Sequence, residues 1–108
     1  MMQADIIAHV RFYPTAHGGR QGPTPKGAFG CLLELHGDCF DCRLLLTETG
    51  PLSPGQQADV PIKFLNFDLV KDQLVPGKKF FLRERQIIAE GEVAKILAAP
   101  VELRSQET

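Results

Sequence analysis

The stretch Phe29-Gly30-Cys31-Leu32-Leu33-Glu34-Leu35-His36-Gly37-Asp38-Cys39-Phe40-Asp41-Cys42-Arg43-Leu44-Leu45-Leu46 decides the fold class. Its two halves alternate with a period of two on either side of His36-Gly37-Asp38-Cys39, the pattern of two half-buried strands joined at a tight bend. With Gly37 and Asp38 as the two turn residues, Leu35 faces Phe40, Leu33 faces Cys42, Cys31 faces Leu44 and Phe29 faces Leu46. Every pair is apolar, so the turn chemistry and the inward pattern agree. A slip of one residue would carry Glu34 or Arg43 into the core.

The same alternation extends outward from this hairpin. In residues 5–13, Ile6, Ala8, Val10 and Phe12 share one face, while Asp5, His9 and Arg11 take the other. After the turn at residues 51–55, Ala58, Val60, Ile62 and Phe64 mark a further strand, in which Pro61 points to an edge position or a bulge. Beyond Val75-Pro76-Gly77, residues 78–85 and 87–97 both have strand character, and Gly91 signals a bulge or a close backbone approach. Residues 65–74 allow one helical turn with Leu65, Leu69 and Val70 on a face. The reading is therefore an all-β domain over residues 1–97, with six short antiparallel strands closed into a barrel that leaves no edge exposed, followed by a tail at 98–108.

Composition bounds the function. A chain of 108 residues with 44% hydrophobic and 23% charged residues is one soluble-type domain with room for one functional surface. No apolar run approaches the roughly 18 residues of a membrane span. Twelve Lys+Arg against 13 Asp+Glu give a formal charge of -1, so affinity for a phosphate backbone would need a local basic patch. The start Met-Met-Gln-Ala-Asp has neither the basic segment nor the apolar stretch of a secretory signal, and three cysteines are an odd number. A cytoplasmic protein with reduced thiols is expected.

Catalytic patterns are weak. Cys39 and Cys42 have the CxxC spacing, with Cys31 and His36 nearby, but residues three apart on a strand point to opposite faces, so four ligands do not converge and buried cysteine is the simpler reading. Ser53 and Ser105 lie in no Gly-x-Ser-x-Gly setting, and His9 and His17 read as exposed strand and loop residues. No GxxxxGK[ST] loop is present, so the chain is not by itself a P-loop GTPase. Residues 14–26 form the longest loop, rich in Gly and Pro, the kind of segment on which binding residues are displayed. Arg20 and Lys26 lie in it. Lys79, Arg83 and Arg85 share strand parity with Phe81, while Glu84, Glu90 and Glu92 dilute their field.

Several motifs together resemble the third domain of elongation factor Tu. Phe80-Phe81-Leu82-Arg83-Glu84, followed by Ala89-Glu90-Gly91-Glu92-Val93-Ala94-Lys95-Ile96-Leu97, is similar to that domain's last two strands. Gly18-Gly19-Arg20-Gln21-Gly22-Pro23 resembles its Gly-Gly-Arg-His-Thr-Pro loop, and Ser53-Pro54-Gly55 its Met-Pro-Gly turn. The likeness runs in order over residues 5–97. It implies a six-stranded Greek-key barrel without catalysis or cofactor, which binds through the segments of Gly18, Gly19, Arg20 and Gln21 and of Arg83 and Glu84, to which Lys26 and Arg85 are added as cations of the same loop and turn. It implies tRNA or structured RNA, or a protein, as partner, in a translation-related setting, with neither nucleotide nor membrane involved. Arg20, Arg83 and Glu84 match the family, whereas its His and Thr are replaced by Gln21 and Gly22, and its Gly-Gly by Arg85 and Gln86. The alternatives are a protein-interaction module without RNA binding, using a barrel face that includes Phe81 or Leu45, and a thiol or metal site at Cys39 and Cys42.

Overall fold

The computed structural model describes residues 3–97, so the expected tail at 98–108 lies outside the described residues. Six strands form: β1 (Ile6–Phe12), β2 (Ala28–Leu35), β3 (Asp38–Leu45), β4 (Gln57–Phe64), β5 (Lys79–Arg83) and β6 (Ile87–Ile96). They close into one antiparallel barrel in the order β1-β4-β3-β2-β5-β6, with β6 returning to β1. β2, β3 and β4 are consecutive neighbours, and β5 comes back over a long connection to lie beside β2, which makes the arrangement a Greek key. Among the described residues no helix is long and apolar enough to cross a membrane.

The alternation read from the sequence sets the inside and outside of the strands, except in β6, where a bulge turns the adjacent Ile88 and Ala89 both inward. Ile6, Ala8, Val10 and Phe12 of β1 meet Leu33, Leu44, Val60, Ile62, Phe64 and Leu82 in a single buried core. Asp5 is a correction. It does not sit on the outer face but is buried, where its carboxylate accepts the Phe64 N–H at 2.8 Å and lies 3.6 Å from the Lys63 ammonium. Its own backbone bonds to Ile62 and Leu97, so it ties together the ends of β1, β4 and β6.

The hairpin register also differs from expectation. Leu35 pairs with Asp38, Leu33 with Phe40, Cys31 with Cys42 and Phe29 with Leu44, so the two turn residues are His36 and Gly37. Their φ angles of 52° and 85° are the two positive values that a type I′ turn demands, and this turn matches the twist of the flanking strands. Asp38 stays extended as the first residue of β3. The displacement is one full two-residue period, which is why the inward set is unchanged.

β4 has a neighbour on both sides, but at Pro61 it pairs only with β1, so the proline stands at a locally open edge and not in a bulge. The Ile62 carbonyl is turned to β1, so alternation directs the missing Pro61 N–H toward β3, where the ladder has ended at Leu44 and Ile62. The bulges lie instead in the ladders of β6, at Ile7/Ala8 and at Leu82/Arg83. The segment 65–74 forms two 3₁₀ turns, Phe67–Leu69 and Lys71–Gln73. Val70 and Leu74 are buried from it, while Leu65 and Leu69 point outward at 77% and 65% exposure, contrary to the apolar face expected.

Gly91 is the close approach that its place in β6 suggested. A Cβ there would stand 2.4 Å from the Phe80 ring, which packs across the glycine from β5. Gly91→Ala should lower unfolding stability by about 1–3 kcal/mol, read from urea denaturation, because the ring has to leave its place in the filled barrel. An unchanged midpoint would show that the ring has free room.

Candidate functional site

The two segments singled out in the sequence meet at one end of the barrel. Residues 14–26 leave β1, form a 3₁₀ turn at Thr15–His17 and return to β2, while residues 84–86 join β5 to β6. Gly18 caps the 3₁₀ turn with a left-handed conformation, and its carbonyl accepts a hydrogen bond from the Gln86 side-chain amide. Gly19 is buried against the end of β1, where a Cβ would fall 2.0 Å from the Tyr13 carbonyl oxygen. Only glycine fits there.

Arg20 is the hub of this rim. Its Nη1 straddles the Glu84 carboxylate, 2.7 Å from each oxygen, and its Nε and Nη2 reach the Gly22 and Pro23 carbonyls at 3.3 Å. The guanidinium also lies 5.0 Å over the Phe29 ring, and its side chain is only 20% exposed. Arg20 is therefore a clasp between loop and turn rather than the free loop cation expected. Thr24 completes the anchoring by exchanging hydrogen bonds with the backbone of Leu52 at 2.9 Å.

The remaining rim residues divide by what they already hold. Arg83 bonds Glu34 at 2.8 Å and the Arg85 carbonyl at 3.2 Å. Gln21, Lys26 and Arg85 are exposed, and among the described residues neither Lys26 nor Arg85 has an ion-pair partner. Arg85 lies beyond the end of β5 and does not line a strand face with Lys79 and Phe81 as parity suggested. The sequence did not single out Phe29 or Glu34 as partners of the rim arginines. Both sit on β2: Glu34 is 49 residues from Arg83, and Phe29, on the strand that follows the loop, meets Arg20 only because the loop folds back over it.

A groove of about 590 Å³ crosses the outer face at β1, β6, β5 and the His36 turn. Its floor is a lattice of opposite charges. Arg11 bonds Glu90 at 2.8 Å, and this bond holds the Glu90 carboxyl below its ordinary range. Phe81 stands among them at 42% exposure, while Leu45 is half-buried. His9 bonds both Gln57 and Asp59 at 2.8 Å.

The CxxC cysteines point apart, as strand alternation requires, with Cys39 exposed and Cys42 buried. Cys42 faces Cys31 directly, Sγ to Sγ 3.8 Å. The hydrogen bond with Cys31, in which the protonated Cys42 can donate, together with burial, pushes the Cys42 thiol far upward and keeps it protonated. Among the described residues no three His, Cys, Asp or Glu side chains are grouped to hold a metal ion. The fold and rim define a small closed Greek-key barrel with a rigid, charge-lined loop end. No protein-family model matches the chain, and no curated protein does.

Two outcomes follow from this geometry. Replacing Arg20 by Lys removes the planar donor set that holds Glu84 and two carbonyls, and should cost about 1–2 kcal/mol with faster amide exchange across residues 18–24. Exchange rates equal to the parent would show that the clasp is not holding the loop. The bond to Gln57 first, then that to Asp59, raises the His9 pKa above 6.5, so its contribution to stability is complete below pH 6.5 and is lost as pH rises through the folded value. An NMR titration should place the His9 midpoint above 6.5, and both Gln57→Leu and Asp59→Asn should bring it down.

Proposed function

We propose that this chain is a non-enzymatic binding barrel whose partner, a protein, docks on the rim formed by residues 18–26 and 83–86. The observation that carries the reading is the fastening of loop to turn by Arg20 with Glu84 and by Gln86 with Gly18, which makes one pre-organised surface from two segments. A loop ordered at internal cost, with Lys26 and Arg85 left unpaired at its border, suits recognition better than chemistry. The likeness of these segments to the third domain of elongation factor Tu supports a domain that works by binding, in a translation-related setting.

Charge favours a protein over structured RNA. Within the rim, Arg20 and Arg83 are ion-paired with Glu84 and Glu34, which leaves Lys26 and Arg85 as its cations without an ion pair among the described residues. Each phosphate neutralised contributes about 0.7–0.9 to the salt slope, so two such contacts give a slope below about 2, far short of a strong nucleic-acid binder.

A photo-cross-linking amino acid placed at position 26 or 85 should capture one common protein, whereas the same group at position 72, at the opposite end of the barrel, should not. Capture from position 72 alone would move the docking surface away from the rim. A parallel anisotropy titration with tRNA should show weak binding at about 50 mM salt. Tight tRNA binding that falls steeply with salt and upon Arg85→Ala would replace the protein reading with the RNA one.

A further inference from the structure

A shallow hollow of about 470 Å³ lies on the outer face beside the rim, over Gly30 and Leu32 of β2, and is bordered by Arg43 of β3 and Arg83 of β5. Arg43 is singular. Its guanidinium rests on Gly30, with Nη1 and Cζ only 3.1 and 3.2 Å from where a Cβ would stand, and Nη1 donates to the Cys42 carbonyl at 3.0 Å. A side chain at position 30 would take this bed away. The arginine is thus laid flat and held, with one donor bonded and the rest of its five N–H groups uncommitted.

The charges around Arg43 do not satisfy it. Among the described residues it makes no ion pair. The residue directly across from it on β4 is Lys63, whose ammonium lies 3.6 Å from the Asp5 carboxylate, so that anion serves Lys63 and the facing strand offers Arg43 none. Arg83, the second cation at the hollow, bonds Glu34 and the Arg85 carbonyl and keeps further donors. A surface that holds an unpaired guanidinium in place, beside cations already paired with Asp5 and Glu34, keeps its free donors for an oxyanion from outside.

We infer that the hollow over Gly30 is a carboxylate receptor, in which Arg43 and Arg83 hold an aspartate or glutamate side chain of the partner protein. The planar guanidinium fork takes carboxylate and phosphate oxygens alike, and one feature selects the carboxylate. Asp41 and Glu84 also border the hollow, and their repulsion weighs more heavily on a dianion than on a monoanion. Arg83 and Glu84 belong both to the hollow and to the rim, so the receptor extends the docking surface onto the sheet. The assignment rests on the binding-module reading and supplies the chemistry of its partner.

The test is an NMR titration of the intact protein with a blocked tri-glutamate peptide, following the Gly30 amide and the Arg43 and Arg83 Nε resonances. These should shift together and saturate. Arg43→Gln should weaken the peptide by roughly fivefold or more, as should Gly30→Val, which keeps both arginines and only occupies the guanidinium's bed. Thermal melts of both variants establish that the barrel is intact, and Arg43→Lys offers a second, milder replacement that should also bind more weakly for want of the fork. Absence of shifts at the arginines would overturn the inference, as would binding indifferent to all three variants. So would inorganic phosphate binding at least tenfold tighter than the peptide. Lys26→Ala with Arg85→Ala, with the cross-linking amino acid moved to the exposed position 21, separates this result from the rim reading: the peptide shifts should persist in that variant while partner capture is lost, and persistence of capture would count against the rim alone.

Discussion

Closure of β1 against β6, from Ile6 with Ile96 to Phe12 with Ala89, is the contact on which the rest of the molecule depends. Without it the sheet would present two open edges, and the inward side chains of a six-stranded layer would face solvent. With it they fill one interior, and each strand has both neighbours. Closing so few strands demands strong curvature, and the bulges at Ile7/Ala8 and Leu82/Arg83 supply extra residues along β6 where the ladder must bend. The Phe80 ring over Gly91 and the buried Asp5 carboxylate on the Phe64 N–H show how tightly that interior and its end are finished.

The near-neutral charge of the chain is realised pair by pair on the outer surface. His9 with Asp59, Arg11 with Glu90, Arg20 with Glu84 and Arg83 with Glu34 each join residues far apart in the sequence. Most of these pairs are exposed and individually worth little. The Arg20 pair differs because the guanidinium is largely covered, stacked on Phe29 and bonded to the carbonyls of its own loop. Among the cations outside this network are Lys26, Arg43 and Arg85, on or beside one end of the barrel. On the binding-barrel reading proposed above, they are the groups that would meet an acidic partner.

Most of the fold could be read from residue order. Alternation in residues 6–12 and 58–64 identified the inward faces of β1 and β4, and the apolar hairpin identified those of β2 and β3. Gly91 betrayed a close neighbour without saying that it would be Phe80. The hairpin register was legible only to within one period, because shifting by two residues leaves the same side chains inside, and the turn's need for two positive φ angles chose between the options. Asp5 and Leu65 were misread for a related reason. At strand ends the alternation no longer tells what lies above the residue, and burial is decided by the elements that fold over it.

The candidate site divides along the same line. Local composition sufficed to pick out the loop of Gly18, Gly19 and Arg20 and the turn after Arg83, because breakers and cations concentrate there. Their meeting at one rim, and the commitment of Arg20 to Glu84 across 64 residues, depended on the closed barrel. By itself, then, the sequence determined the alternation of faces, the strand count and the segments free to form loops, all of which are set by neighbours one or two positions away. Only the tertiary structure decided which cations are spent and which, like Arg43 on its glycine bed, remain available, since pairing of charges is a property of distance in space.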